Sequence, residues 1–127
     1  MPRGIIGRAI SEAAIHVAVV DYLRVALHPH VFVSTIGHGG GGKIRGAQLK
    51  RKGLVPGIPD IGIIHRGQSY FIELKNSNGN TSAAQRACHE WLRQAGAKVE
   101  VCKSVADVQR ALRDWGLPTR IQAAVVA

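Results

Sequence analysis

Apolar residues recur at helical spacing at Ile15, Val19, Tyr22, Leu23 and Ala26, which predicts an amphipathic helix. Ser11 is placed to cap its start, and Pro29 closes it after about Leu27. At ~100° per residue, Glu12 falls in the sector of Ile15, Val19 and Leu23. A carboxylate on that core-facing side is unusual, and the first-turn dipole excuses it only in part. Residues 30–36 are β-branched and apolar, the mark of a strand. A glycine cluster over 37–42 and a basic stretch over 43–53 come next, with a short helix expected around Gln48. Pro56, Gly57 and Pro59 then impose an extended approach to Asp60.

Two strands, 60–65 and 70–75, are expected to meet in a tight turn around Gly67 and Gln68. Residues 76–80 read as a loop, in which Asn76, Asn78 and Asn80 are turn residues first. Ser82 with Gln85 forms a capping box for a helix to about Ala95, ended by Gly96, with the stripe Ala84, Cys88, Trp91 and Ala95. Residues 98–102 read as a strand. Ser104 caps a last helix carrying Val105, Val108, Leu112 and Trp115, which Gly116 and Pro118 end. The tail after Thr119 is apolar and unassigned, and there is no internal repeat. The order αβββαβα predicts an α/β (α+β) fold, a mixed central sheet flanked by helices.

The chain has 127 residues and is 46% hydrophobic, a length and composition that suit one domain with a packed core. Seventeen Lys and Arg against eight Asp and Glu give a net charge of +9, which favours a polyanionic partner, nucleic acid before an anionic membrane surface. The charge is local. No acid lies between Asp21 and Asp60, an interval that holds Arg24, Lys43, Arg45, Lys50, Arg51 and Lys52. A basic run beside a glycine cluster suits a DNA-backbone contact by Lys43, Arg45, Lys50, Arg51 and Lys52. Aromatics make up only 5% of the chain, a poor supply for stacking on single strands. Cys88 and Cys102 fall inside apolar patterns and read as buried free thiols. Arg3 and Arg8 imitate the start of a signal peptide, but Glu12, His16 and Asp21 interrupt the apolar stretch behind them. With no run of membrane-spanning length, a soluble intracellular protein is expected.

The chemistry gathers at the predicted hairpin. With Gly67 and Gln68 in the loop, Arg66 pairs with Ser69, Asp60 lies opposite Lys75, and Gly62 lies opposite Glu73. Alternation puts Asp60, Gly62, Glu73 and Lys75 on one face and Ile61, Ile63, Tyr70, Ile72 and Leu74 on the other. Two carboxylates on rigid strands can hold a hard divalent cation through oxygen, with waters completing the shell. Such an ion activates water and polarises a phosphoryl oxygen, and a neighbouring ammonium balances charge in the transition state. That is equipment for phosphodiester hydrolysis. An exposed Glu–Lys pair and simple turn chemistry at Pro59–Asp60 is the competing account.

These residues resemble a known family. Val55-Pro56-Gly57-Ile58-Pro59-Asp60, Phe71-Ile72-Glu73-Leu74-Lys75 and the downstream Gln85 are similar to the VRR-NUC branch of the PD-(D/E)xK nucleases, whose core is restriction-endonuclease-like. The resemblance covers most of the chain and implies a single nuclease domain over 1–127, with 117–127 readable as a tail. It implies that Asp60 and Glu73 ligate Mg²⁺ or Mn²⁺ with the Leu74 backbone carbonyl, that Lys75 positions the attacking water, that Gln85 supports the site, and that Glu12 is a further acid joining it. Gln85 also has a purely structural account, as third residue of its capping box. Stand-alone relatives of this size are similar to phage-type enzymes that cut branched DNA, Holliday junctions included, as homodimers. The same likeness implies a cytoplasmic setting in a bacterial or phage-infected cell, and a hairpin that is bulged.

Other readings compete. Gly37-His38-Gly39-Gly40-Gly41-Gly42-Lys43 matches a phosphate-binding loop after a strand, but Ile44 stands where Ser or Thr would hold Mg²⁺, and Gly46 is expected to interrupt the helix that such a loop needs. No nucleotide cofactor is therefore expected. His28, His30 and His38 lack the regular spacing of a zinc site. A non-catalytic DNA-binding module on the same fold and a flap- or end-trimming repair nuclease remain as alternatives.

Overall fold

The computed structural model describes residues 9–36 and 42–120. The glycine loop at 37–41, the tail from 121 and the side chains of 42–46 lie outside the described residues, and with them His38, Lys43 and Arg45 as contacts. The elements run α1 (Glu12–Ala26), β1 (Phe32–Thr35), α2 (Gly42–Arg51), β2 (Ile61–His65), β3 (Gln68–Leu74), α3 (Ala83–Gln94), β4 (Lys98–Cys102) and α4 (Val105–Trp115). The expected order therefore gains one full helix, α2. Its ten residues pass through Gly46, so that glycine does not interrupt the segment as expected; a lone glycine costs a helix only about 1 kcal/mol.

The described chain forms two compact units. In the first, Ser11 caps α1 by accepting from the Ala14 N–H at 3.1 Å, and Ile15, Val19, Leu23 and Ala26 are buried along one stripe. Ser104 caps α4, which buries Val108, Ala111 and Leu112 and packs against α1. Both stripes match the periodicity of the sequence. Gly116 ends α4 at φ +69°, the left-handed stop expected of it. The chain then returns to the end of α1. The Arg120 guanidinium donates to the Leu27 carbonyl at 3.0 Å and the Arg24 carbonyl at 2.9 Å, satisfying the last carbonyls of that helix.

The second unit holds most of a four-stranded mixed sheet in the order β1-β2-β3-β4. Strands β1, β2 and β3 are antiparallel neighbours, and α3 is the crossover between β3 and β4. The hairpin turn is Arg66-Gly67, not Gly67-Gln68: both residues have positive φ, +50° and +80°, as the two-residue turn matching strand twist requires. Gln68 instead belongs to β3, where its side-chain amide donates to the Gly96 carbonyl at 2.8 Å. The observed pairs are Ile61 with Ile72, Gly62 with Phe71, Ile63 with Tyr70, Ile64 with Ser69 and His65 with Gln68. This corrects the expected register, and no bulge breaks these pairs. The faces survive, because the turn moves the pairing by an even step: Ile61, Ile63 and Ile72 are fully buried.

Arginine at a left-handed position is strained by about 1 kcal/mol. Arg66→Asn is therefore expected to stabilise the protein by roughly 0.5–1 kcal/mol, measured by urea denaturation. An unchanged midpoint would mean that the turn is not of this type.

Candidate active site

The approach to Asp60 is a turn rather than an extended segment. The Ile58 N–H donates to the Val55 carbonyl at 3.3 Å across Pro56 and Gly57, and Gly57 has φ +80°. Proline followed by a positive-φ glycine is the signature of a type II turn. A Cβ on Gly57 would sit 2.4 Å from the Ala84 carbonyl carbon and oxygen and 2.5 Å from the Gln85 nitrogen. This glycine thus seats the turn directly on the first turn of α3. Pro59 is buried, and the Asp60 carbonyl accepts from the Ile36 N–H at 2.8 Å, which fixes the backbone at the start of β2.

The corrected register matters here. Continued by one step beyond Ile61 and Ile72, it sets Asp60 opposite Glu73, not opposite Lys75. Glu73 is 2% exposed. Its two carboxylate oxygens are held separately by α3: Oε2 by the Gln85 side-chain amide at 3.2 Å, and Oε1 by His89 Nε2 at 3.2 Å. An ionised carboxylate only accepts, so both nitrogens are the donors. Burying a carboxylate without partners would be prohibitive; two donors one helical turn apart make it tolerable.

Gln85 closes the capping box expected of it and also reaches Glu73. Its Oε1 accepts from the Ser82 N–H at 2.9 Å and its own N–H donates to Ser82 Oγ at 3.1 Å, closing the capping box, while its amide nitrogen reaches Glu73. His89 was not anticipated. The available signal was its position four residues after Gln85, on the same helical face. The apolar stripe predicted for this helix is corrected as well: Ala84, Trp91 and Ala95 are exposed, and Gln85, Cys88, His89 and Leu92 turn inward. The helix covers a carboxylate, so its inner face is partly polar and hydrophobic periodicity points the wrong way.

Lys75 and Glu12 belong to the first unit. Glu12 is exposed, contrary to the core-facing sector expected, because the buried stripe of α1 begins one turn later at Ile15. Its Oε2 and the Lys75 Cδ each lie 3.4 Å from where a Cβ on Gly79 would stand, so the two side chains converge beside that glycine. The Lys75 N–H donates to the Cys102 carbonyl at 3.0 Å. Asn76 Oδ1 accepts from the Asn78 N–H at 3.1 Å, the turn chemistry expected of these asparagines. Leu74 closes β3 with its side chain buried. Lys50, Arg51 and Lys52 are exposed at the end of α2.

Among the described residues, no three His, Cys, Asp or Glu side chains form a metal-binding group. Asp60 and Glu73 are two carboxylates at the ends of adjoining strands, not a closed cage. Mg²⁺ keeps several waters and commonly takes only one or two carboxylates, so this chemistry fits a hydrated hard divalent ion better than an all-protein cage.

Cys88 and Cys102 are buried free thiols, as the sequence suggested. Burial, with the nearby Glu73 charge adding to it, raises the Cys88 thiol above its ordinary 9.0. A raised value means that the folded state holds the proton more tightly. The associated stability is complete below the unfolded thiol's pKa and is lost as pH rises towards and through the folded one. Folded protein is accordingly expected to resist iodoacetamide at pH 8 and unfolded protein to react, as read by intact mass. Equal rates would show an accessible thiolate.

The clamped Glu73 lies in the part of the chain that matches a family of nuclease-type domains in the PD-(D/E)xK superfamily. The VRR-NUC domain model matches residues 27–106, more than half of the chain, and the chain belongs to that family. A solved structure described as a VRR_NUC domain protein is similar at 22% identity with a TM-score of 0.64, covering 84% of this chain and 88% of its own. Another, described as a VRR_NUC domain, gives 19% identity and a TM-score of 0.54 over 84% and 99%. These likenesses show the fold. No curated protein matches the chain.

Proposed function

We propose that this chain is a metal-dependent endonuclease acting on branched DNA, in the manner of a Holliday junction resolvase and as a homodimer. The observation that carries the reading is the buried Glu73, both of whose oxygens are held by Gln85 and His89, on a hairpin whose register, carried one step past Ile61 and Ile72, would set Asp60 opposite it. Asp60 and Glu73 would hold Mg²⁺ or Mn²⁺, with the Leu74 carbonyl as the backbone donor that the family pattern implies. When bound, such an ion supplies a Lewis acid for the phosphoryl oxygen and lowers the pKa of water.

Lys75 orients the attacking water and carries positive charge towards the phosphorus as negative charge builds there. Gln85 and His89 act through Glu73, holding its carboxylate in one orientation so that little reorganisation is needed. Glu12 is proposed as the further acid of the site. Exposed Lys50, Arg51 and Lys52, with Lys43 and Arg45 before them in the sequence, track the phosphate backbone and make binding salt-dependent. A homodimer would offer two sites to two symmetric strands of a four-way junction.

The test is cleavage mapping with the full chain on a four-way junction, a flap and a plain duplex, in Mg²⁺ and in Mn²⁺. Symmetric nicks across the junction are expected. Cuts confined to flaps or ends would point to repair trimming instead. Binding without cleavage of any substrate would make this a DNA-binding module.

A further inference from the structure

The sheet face that carries Asp60 and Glu73 continues into an open apolar groove of about 140 Å³, lined chiefly by Phe32, Ile36, Gly62, Ile64, Ser69 and Phe71. The chain has only two phenylalanines, and both are here. Phe32 is 59% exposed and Ile64 46%, whereas Ile61, Ile63 and Ile72 on the opposite face are at 0%. The scarce aromatic rings are thus spent on an open surface. Strand alternation places Ser69, Phe71 and Glu73 on one side of β3, and Asp60, Gly62 and Ile64 on the same side of β2. The Gly62–Phe71 pair is the next step from Asp60 and Glu73 on that face, a distance of about 7 Å along the strand. A Cβ on Gly62 would stand 2.9 Å from Ile36 Cδ1 and 3.5 Å from Phe71 Cε1. The Ile36 side chain therefore lies directly over Gly62 beside the Phe71 ring, and the groove is bounded beyond that pair by Phe32, Ile64 and Ser69.

We infer that this groove receives a nucleobase, unstacked from the nucleotide next to the phosphate that is cut. The inference rests on the nuclease reading above and adds a subsite to it. The groove is far below the ~300–1,000 Å³ of a drug-sized site and suits one flat ring system. None of its six named lining residues is charged, so none repels a polyanion or needs an ionic partner. A base has π-faces that stack on phenylalanine whatever its identity. The groove's near rim, the Gly62–Phe71 pair, lies one side-chain step along the strands from the acids, within the reach of one nucleotide from its phosphate. A base inside a continuous duplex cannot enter, because it would first have to leave the stack. An unpaired base at a branch has already done so, which gives the protein a physical reason to favour branches. The low aromatic content that argued against a stacking surface is offset by where the two phenylalanines lie.

The test uses the full chain and a junction on which the cleavage site has been mapped. The nucleotides on either side of the scissile phosphate are made abasic in turn. One of the two substitutions is expected to lower wild-type kcat/KM by roughly 5- to 150-fold, the range for loss of one base–aromatic stack. Phe32→Ala and Phe71→Ala should lose a similar factor on the intact junction and little more on the abasic one, while Phe32→Tyr retains wild-type discrimination. In a second arm the base is replaced by 2-aminopurine and binding is read in Ca²⁺. Its emission should be quenched by the wild type and not by Phe32→Ala. Equal cleavage of intact and abasic junctions by the wild type overturns the inference. A Phe32→Ala variant that only shifts the light-scattering mass from two copies to one, with both DNA responses unchanged, also overturns it and makes the groove a contact between copies. If the wild type cuts no DNA in either metal, the nuclease reading fails separately; the 2-aminopurine arm then decides the groove, and unchanged emission overturns it.

Discussion

Glu73→Gln is expected to lower metal-dependent DNA cleavage by more than about 10²-fold, beyond what loss of a supporting partner around a metal site costs. The substitution keeps the shape of the side chain and removes its charge. It also breaks a local symmetry. Glu73 accepts at both oxygens, from Gln85 and from His89, and an amide can accept at only one. Its NH₂ group must then face one of two buried donors, at a cost of about 1–3 kcal/mol. Activity and stability should therefore fall together, and a thermal melt beside the nicking assay separates the two. A variant that cuts at the wild-type rate would remove Glu73 from the site; one that loses activity with an unchanged melt would remove the α3 clamp. His89→Ala leaves the carboxylate buried with one donor fewer, and a comparable loss of stability is expected there with a smaller loss of cleavage.

The largest structural effect is expected at Gly57. An alanine Cβ would overlap the backbone of Ala84 and Gln85 at 2.4–2.5 Å, and backbone cannot rotate away as a side-chain tip does. Overpacking of this kind costs roughly 1–3 kcal/mol, and a left-handed φ adds about 1–2 kcal/mol for any L side chain. Gly57→Ala is accordingly expected to lower Tm by about 10 °C or more. The damage also has a direction. The turn would push against the α3 N-terminus, where Ser82 and Gln85 close their cap and Gln85 reaches Glu73. The surviving folded fraction should cut poorly even well below its Tm. An alanine variant with wild-type melting would mean that the turn does not rest on the helix.

Local signals were legible wherever one residue type has one physical use. Ser11, Ser82 and Ser104 cap the helices expected of them. Lys98–Cys102 is the strand read from its apolar pattern, and Gly116 ends its helix in the left-handed region. Two of the failures share a cause: the information was not local. Turn placement at Arg66 depends on a strained φ that the sequence argued against, and it is settled by Gln68 reaching across to Gly96. The face of α3 depends on what it covers. Periodicity assumes an apolar neighbour, and a buried glutamate reverses the expectation for Trp91 and His89. Glu12 shows the opposite case, where angular sector alone overrode the fact that a first-turn residue precedes the core. At the site itself, the acids and Gln85 were legible as a motif. Their pairing was not, because the hairpin register decides whether Asp60 faces Lys75 or Glu73.

Asp60 and Glu73 are proposed to hold one divalent ion together, and the nuclease reading depends on it. Mn²⁺ binding to the full chain, read by electron paramagnetic resonance and paired with nicking of a four-way junction in the same buffer, tests it most directly. Saturable Mn²⁺ binding by the wild type should be lost in Asp60→Asn and in Glu73→Gln, and nicking should disappear with it in both. Variants that bind Mn²⁺ and nick the junction like the wild type would remove both carboxylates from the site.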